Sequence, residues 1–432
     1  MPRSDLIVAI DIGSSKITTL VGQYFPEEER VNVIGVSTVT ACGIRKGQIV
    51  NIEQTTESLV TSVEAAERMA GFNISEALVG ISAPYISSLN SQGVVAVADP
   101  KGEITQDDIE RVIEAAKALS LPSSSEILHT LPRQFKVDGQ GEVISPIGMT
   151  GVRLEVEAHI VTAASSSLKN LRKCSEEAGV QVLSFIFSGF AAAEAVLTPT
   201  EKELGVILID IGDSITTMVI YSEGAPCYST VIPIGSRNVT NDLAIGLRLP
   251  LDEAEKLKVA LEKFQRQAEE SGGEDEISLK KMGVSFDDKR KISLKTAIDG
   301  IVGPRLAEIF AIIREEIKAS GFGGSTPAGV ILTGGGAKTV GIKYHCQKIL
   351  GLPARIGMPE KLGGIADEVL SPEFSSAVGL LLYGIREKRK ERVAKSGSFN
   401  FGRITGRIKI GKKFPFKSIF GKMGEILKPL LP

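Results

Sequence analysis

The run LIVAIDIGSSKITTLVG, beginning at Leu6, is written again in nearly the same terms as GVILIDIGDSITTMVIYS from Gly205. Aligned on their aspartates, Ile10, Asp11, Ile12, Gly13, Ser15 and Thr18 recur as Ile209, Asp210, Ile211, Gly212, Ser214 and Thr217. Each copy is an apolar run that ends in a carboxylate, turns at a glycine and leaves as a second apolar run. The pattern predicts two strand hairpins of one design.

Such a hairpin suits an anion. Glycine lets the turn approach a phosphate closely, with backbone N–H groups and the hydroxyls of Ser14, Ser15 and Ser214 directed at it. Asp11 and Asp210, at the strand ends, are candidates to hold Mg2+ through its waters between two facing loops. Lys16, present in the first copy only, adds a point charge for a β- or γ-phosphate. Asp213, beside Gly212, places a further carboxylate where the triphosphate would lie, which is unfavourable unless a cation offsets it.

A third cluster, GVILTGGGAKTVGI, runs an apolar strand over Val330 to Leu332 into Gly334, Gly335 and Gly336, whose bare backbone permits flat contact with a nucleoside. Between it and the second hairpin lies LDEAEKLK. There Glu255 and Lys258, three apart on one helical face, are either a grip on a ribose and base edge or an ordinary solvated ion pair.

Taken in order, Asp-Ile-Gly, Asp-Ile-Gly, Ala-Glu-x-x-Lys and Thr-Gly-Gly-Gly resemble the nucleotide-binding signature of the actin superfamily. The resemblance implies an actin-like (ribonuclease-H-like) two-domain α/β fold with ATP in the cleft. Fold alone does not give function.

The composition, 43% hydrophobic and 24% charged, is that of a globular chain, and 432 residues predict two or more domains. The four cysteines are scattered without a CxxC pair, and His129, His159 and His345 are isolated. They predict reduced core thiols, no metal site and no catalytic histidine, with His159 a strand residue. The apolar run at the N-terminus is too short for a signal peptide, which predicts a cytosolic body.

The net charge of -2 conceals an asymmetry. From Arg386 to the end the chain carries 14 Lys and Arg against three Glu, net +11, leaving -13 for the rest. In FPFKSIFGKMGEILKPLLP, Phe416, Ile419, Phe420, Met423, Ile426, Leu427 and Leu430 follow one helical face, with Lys417, Lys422 and Lys428 on or beside the other. This predicts a basic amphipathic helix over 416–432, joined by a solvated linker over 386–415. Packing on the core is one use for such a stripe; reversible docking on an anionic lipid surface fits a terminal helix better. Nucleic acid is disfavoured as the anionic partner, because few aromatics are interleaved with the charges.

GEITQDDIERVIEAA, ILHTLPRQFKVDGQG and SPIGMTGVRLEVEAHIVTA, read in that order, resemble the family of the bacterial cell-division actin FtsA. GFAAAEAVL, PIGSRNVTNDLAIGL, TGGGAKTVGI and SSAVGLLLYG continue the likeness. It implies a first core subdomain over 1–81 and 165–197 and an inserted α/β subdomain over 82–164. A second core would cover 198–239 and 328–385, with an outer subdomain over 240–327. Within the insert, Thr105 is expected to cap a helix burying Ile109, Val112, Ile113 and Ala116; the segment 265–290 is expected to be a mobile surface insertion.

The family implies a peripheral protein on the cytoplasmic face of the bacterial plasma membrane. It would polymerise with ATP bound, tether the tail of the tubulin-like FtsZ and recruit later division proteins. Arg305, in AIDGIVGPRLAEIFAIIREEIKASG, would be a contact for that acidic tail, or a simple surface arginine. Turnover of ATP is expected to be slow or absent. The rivals are a pilus-assembly adaptor of similar fold, and a small-molecule kinase.

Overall fold

The computed structural model describes residues 5–271, 275–283, 291–359, 362–365 and 369–397. The two hairpins are there in matching register. Strand β1 (Asp5–Ile12) runs antiparallel to β2 (Lys16–Phe25), pairing Asp11 with Thr18. After β3 (Arg30–Thr40), the short hairpin β4 (Ile44–Arg45) and β5 (Gln48–Ile49) leads to helix α1 (Ile52–Ala70). Asn51 caps that helix through the Gln54 N–H, and Gly71 ends it in the left-handed region. Strand β6 (Glu76–Ile81) then lies parallel to β1.

The chain next leaves this sheet to build another. β7 (Ser87–Ala96), β8 (Ser125–Val137), β9 (Gln140–Val143) and β10 (Arg153–Ala164) form a four-stranded sheet in the order β7-β10-β8-β9. Helix α2 (Gln106–Lys117) covers it. Thr105 and Asp108 make the reciprocal capping box, Val112 and Ala116 are buried, and Ile109 and Ile113 pack beside them as their spacing predicts.

α3 (Ser165–Glu177), β11 (Gln181–Phe187) and α4 (Ser188–Val196) return to the first sheet, whose order is β11-β6-β1-β2-β3. α5 (Pro199–Leu204) leads to the second copy. β12 (Val206–Ile211) pairs with β13 (Thr216–Ser222), setting Asp210 opposite Thr217, and β14 (Ala225–Ile232) follows.

α6 (Arg237–Leu247) and α7 (Leu251–Ser271) pack with the two-stranded pair β15 (Glu276–Ser278) and β16 (Lys291–Ser293), with α8 (Leu294–Ala297) and with α9 (Gly303–Ser320). β17 (Val330–Thr333) runs parallel to β12, and α10 (Ile342–Leu350) leads to β18 (Ala354–Ile356). The second sheet is ordered β18-β17-β12-β13-β14, strand for strand the plan of the first. β19 (Gly363–Gly364) pairs with β3 at the first sheet's far edge, and α11 (Ser375–Gly397) follows.

Two expectations are corrected. The segment expected to be a mobile insertion over 265–290 is ordered where described: α7 runs to Ser271, and Leu279 and Met282 are buried in the second core. Their apolar side chains pin the segment inward. Of the linker expected over 386–415, residues 386–397 continue helix α11, where Glu387 and Lys390, 2.9 Å apart, add a supporting pair; 398–415 lie outside the described residues. The expected helix over 416–432 lies outside the described residues. Among the described residues no helix is long and apolar enough to cross a membrane.

Candidate functional site

Each hairpin turn is closed the same way. The Gly13 N–H donates to the Lys16 carbonyl at 3.0 Å, and the Gly212 N–H to the Ile215 carbonyl at 2.9 Å. These two amides are therefore spent on the turns and do not point at an anion, as the sequence reading expected. Beyond the turns, Asp11, Asp210, Gly13, Ser14, Ser15, Lys16, Gly212, Asp213, Gly334 and Gly335 all line one cavity of 120 Å3.

The aspartates are held symmetrically by residues the sequence reading did not single out. Ser188, the first residue of α4, donates to Asp11 Oδ1 at 3.4 Å, and Ser376, at the start of α11, donates to Asp210 Oδ2 at 3.0 Å. Burial and the nearby Asp210 charge raise the Asp11 carboxyl to about 7, against the pull of Lys16 and Ser188. Burial likewise raises Asp210 to about 6, with Ser376 and Lys16 opposing. Two enclosed carboxylates so placed resist being ionised together.

Lys16 extends over the Phe374 ring, 4.0 Å from its centroid, and burial depresses its ammonium despite Glu373, Asp11 and Asp210. Ser14 Oγ accepts the Gly47 N–H at 2.8 Å. Asp213 accepts from Ser214 Oγ at 2.6 Å and lies 3.9 Å from Arg237 Nη1. The added carboxylate that the sequence showed thus has its own cation. Arg237 was visible in PIGSRNVTNDLAIGL, but nothing local announced the pairing.

The three glycines divide into two roles. A Cβ on Gly334, whose φ is +82°, would fall 2.1 Å from Asp210 Oδ1, and one on Gly336 2.5 Å from Ile211 Cγ2. Those two are glycines so that the loop can seat against the end of β12. Gly335, by contrast, has room for a side chain, the nearest neighbour of an added Cβ being Glu373 Cβ at 3.8 Å.

A larger adjoining cavity of 500 Å3 is lined by Ser15, Lys16, Asp213, Arg237, Glu255, Lys258, Gly335, Lys338 and Glu373. Glu255 Oε2 accepts from Lys258 Nζ at 2.8 Å and from Thr240 Oγ1 at 2.5 Å. The pair is an ion pair in the cavity wall, with Lys258 buried and Glu255 half-exposed, so it is not the fully solvated pair of the plainer reading. Lys338 and Glu373, 2.8 Å apart, form a second pair across the mouth. Arg305 stands elsewhere, on α9. Its guanidinium takes Asp242 in a fork at 2.6 and 2.9 Å and Glu308 at 2.5 Å, so it is an engaged ion pair.

Among the described residues no cluster of three or more His, Cys, Asp or Glu could hold a metal. Two enclosed carboxylates flanked by serine hydroxyls are nonetheless hard oxygen donors of the kind Mg2+ takes while keeping most of its waters.

Two sheets of one plan, their hairpin turns joined by a third glycine loop at a common cleft, define the actin-like fold class. Solved structures agree: the PilM of a PilM-PilN type IV pilus biogenesis complex has a TM-score of 0.61 at 16% identity, covering 88% of this chain and 98% of that one. MreB5 of Spiroplasma citri bound to ADP has 0.50 at 14%, covering 91% and 99%. Such identities speak for the fold alone.

The family is given by closer matches. The family model described as the SHS2 domain inserted in FTSA matches residues 84–162, and that for cell division protein FtsA matches 207–379. The cell division protein FtsA of Pseudomonas aeruginosa is 39% identical over 89% of this chain and 90% of its own; that of Bacillus subtilis is 36% identical over 97% and 89%. That of Escherichia coli is 32% identical over 88% and 90%. The chain belongs to the FtsA family of cell-division proteins.

Proposed function

We propose that this chain binds ATP with Mg2+ in the cleft and polymerises in that state. On the cytoplasmic face of the plasma membrane it would tether the division protein FtsZ. The observation that carries the nucleotide reading is the Asp11 and Asp210 pair, raised to about 7 and about 6 and facing one cavity with Lys16. A divalent ion, when bound, supplies the positive charge that lets both carboxylates ionise. Lys16 would meet a phosphate, Gly335 and the 500 Å3 cavity the nucleoside, and Glu255 and Lys258 its rim.

ATP would act chiefly as a ligand that closes the cleft, since Asp213 is occupied by Ser214 and Arg237 and does not stand free to activate water. The residues 416–432 would supply the anchor, several weak anchors adding up in a polymer. The FtsZ tail would meet the second domain near Arg305, and the inserted sheet would serve filament contacts and later division proteins.

Liposome co-sedimentation with ATP and Mg2+ tests this, comparing the full chain with one ending at Lys413. Pelleting of the full chain alone, stronger on anionic lipid, is expected, followed by recruitment of FtsZ to the same vesicles. If both chains stay in solution, the tether reading fails and a pilus-adaptor role moves ahead.

A further inference from the structure

Beside the phosphate loops, sharing Asp213 and Arg237 with the nucleoside cavity, lies an open groove of 820 Å3. One wall comes from the β4–β5 hairpin, with Ile44, Arg45, Lys46 and Val50, and the other from the second lobe, with Pro233 and Arg237. The hairpin tip is rigidly placed. Lys46 (φ +49°) and Gly47 (φ +72°) form a tight turn with both residues left-handed, and a Cβ on Gly47 would strike the Ser82 carbonyl at 2.0 Å. The Gly47 N–H is bonded to Ser14 of the first phosphate loop at 2.8 Å.

This tip presents two cations with nothing to neutralise them. Arg45 and Lys46 are exposed and form no ion pair with any described residue, while Arg237 across the groove, half-exposed, has only Asp213 at 3.9 Å. Three cations therefore face one carboxylate. The volume exceeds what a small anion needs and matches a site for a larger ligand. Val50, 60% exposed, and the exposed Pro233 interleave apolar surface with the charge.

We infer that this groove is a docking site for an extended acidic peptide segment, its carboxylates meeting Arg45, Lys46 and Arg237 and its apolar residues lying on Val50 and Pro233. Charge complementarity carries the inference; the groove adjoins the nucleotide cleft, sharing Ser14, Asp213 and Arg237 with its walls, and is separate from Arg305.

Fluorescence anisotropy on the full chain without nucleotide, using a short fluorescein-labelled peptide of alternating Glu and Leu, tests it. Binding should weaken with salt and fall about tenfold or more in Arg45→Glu and in Lys46→Asn, Asn being chosen because it tolerates the left-handed turn. The control Lys169→Glu, an exposed site on α3, should bind as the parent does. No binding, equal binding by the variants, or equal binding of an alternating Lys and Leu peptide would overturn the inference. Displacement by inorganic phosphate would overturn it in favour of a small-anion site.

Discussion

The imidazole Nε2 of His159 lies 2.9 Å from Ser229 Oγ, joining β10 of the inserted sheet to β14 of the second lobe. Its Nδ1 is 2.8 Å from Asn90 Oδ1, and Asn90 Nδ2 in turn donates to the Cys227 carbonyl at 3.0 Å. Ser88 Oγ donates to the Ser229 carbonyl at 2.6 Å and accepts the Ser229 N–H at 3.1 Å. A subdomain that interrupts the first lobe in sequence is thereby hydrogen-bonded to the second in space. Relative motion of the lobes must pivot on this polar seam or break it.

The seam should make stability pH-dependent. Burial, aided by the Arg133 charge and by His129, depresses His159 to about 3, against about 6.5 in the unfolded chain. In the window between, the unfolded state binds a proton that the folded state refuses. Stability therefore falls as pH drops through about 6.5 toward 3, by up to about 4 kcal/mol. His159→Gln, which keeps an amide for Ser229 or Asn90, should flatten the midpoint of thermal unfolding as a function of pH; an unchanged slope would show that other groups govern it.

Asp11→Asn should separate folding from function. Removing one of two mutually repelling enclosed carboxylates is expected to stabilise the chain without ligand by about 1 kcal/mol. It should also abolish most of the rise in melting temperature that Mg2+ and ATP confer on the parent. A variant that is less stable without ligand, or equally responsive to it, would contradict the assigned role.

The glycine loop gives a sharper contrast. Gly336→Ala forces a methyl onto Ile211 and should destabilise by about 2 kcal/mol or more, read by denaturant midpoint. Gly335→Ala meets only Glu373 Cβ, at an ordinary contact distance of 3.8 Å, and should leave the midpoint within about 0.5 kcal/mol while weakening nucleotide binding. Equal destabilisation by both would mean that the loop as a whole is structural.

The sequence made the repeated elements legible because their causes are local. Asp-Ile-Gly twice in register became two hairpins whose sheets share one strand order, and Thr105 capped the helix its spacing implied. What stayed hidden depends on residues far apart in the chain. Ser188 reaches Asp11 from a helix start with no motif of its own, Ser376 reaches Asp210 from a motif, SSAVGLLLYG, that gave it no role, and Arg237 answers Asp213 across a loop. His159 read as an ordinary strand residue because its partners Asn90 and Ser229 come from strands remote in sequence. Glycine identity was legible but its reason was not: only the folded backbone shows that Gly334 and Gly336 are pressed on β12 while Gly335 is free.

Arg305 offers a test of the tail-docking reading that does not rely on deleting the arginine. Its fork with Asp242 is largely shielded, the two side chains being 23% and 27% exposed, and the pairing with Asp242 raises the guanidinium's proton affinity further. An acidic tail that uses Arg305 must therefore compete with an internal carboxylate. Asp242→Asn removes the competitor while leaving an amide that still accepts a hydrogen bond. It should lower stability by about 1 kcal/mol and tighten binding of the FtsZ tail several-fold in a titration of labelled peptide. Unchanged affinity in Asp242→Asn, with the stability loss present, would assign Arg305 to holding α9 against α6 and move the tail contact to another surface.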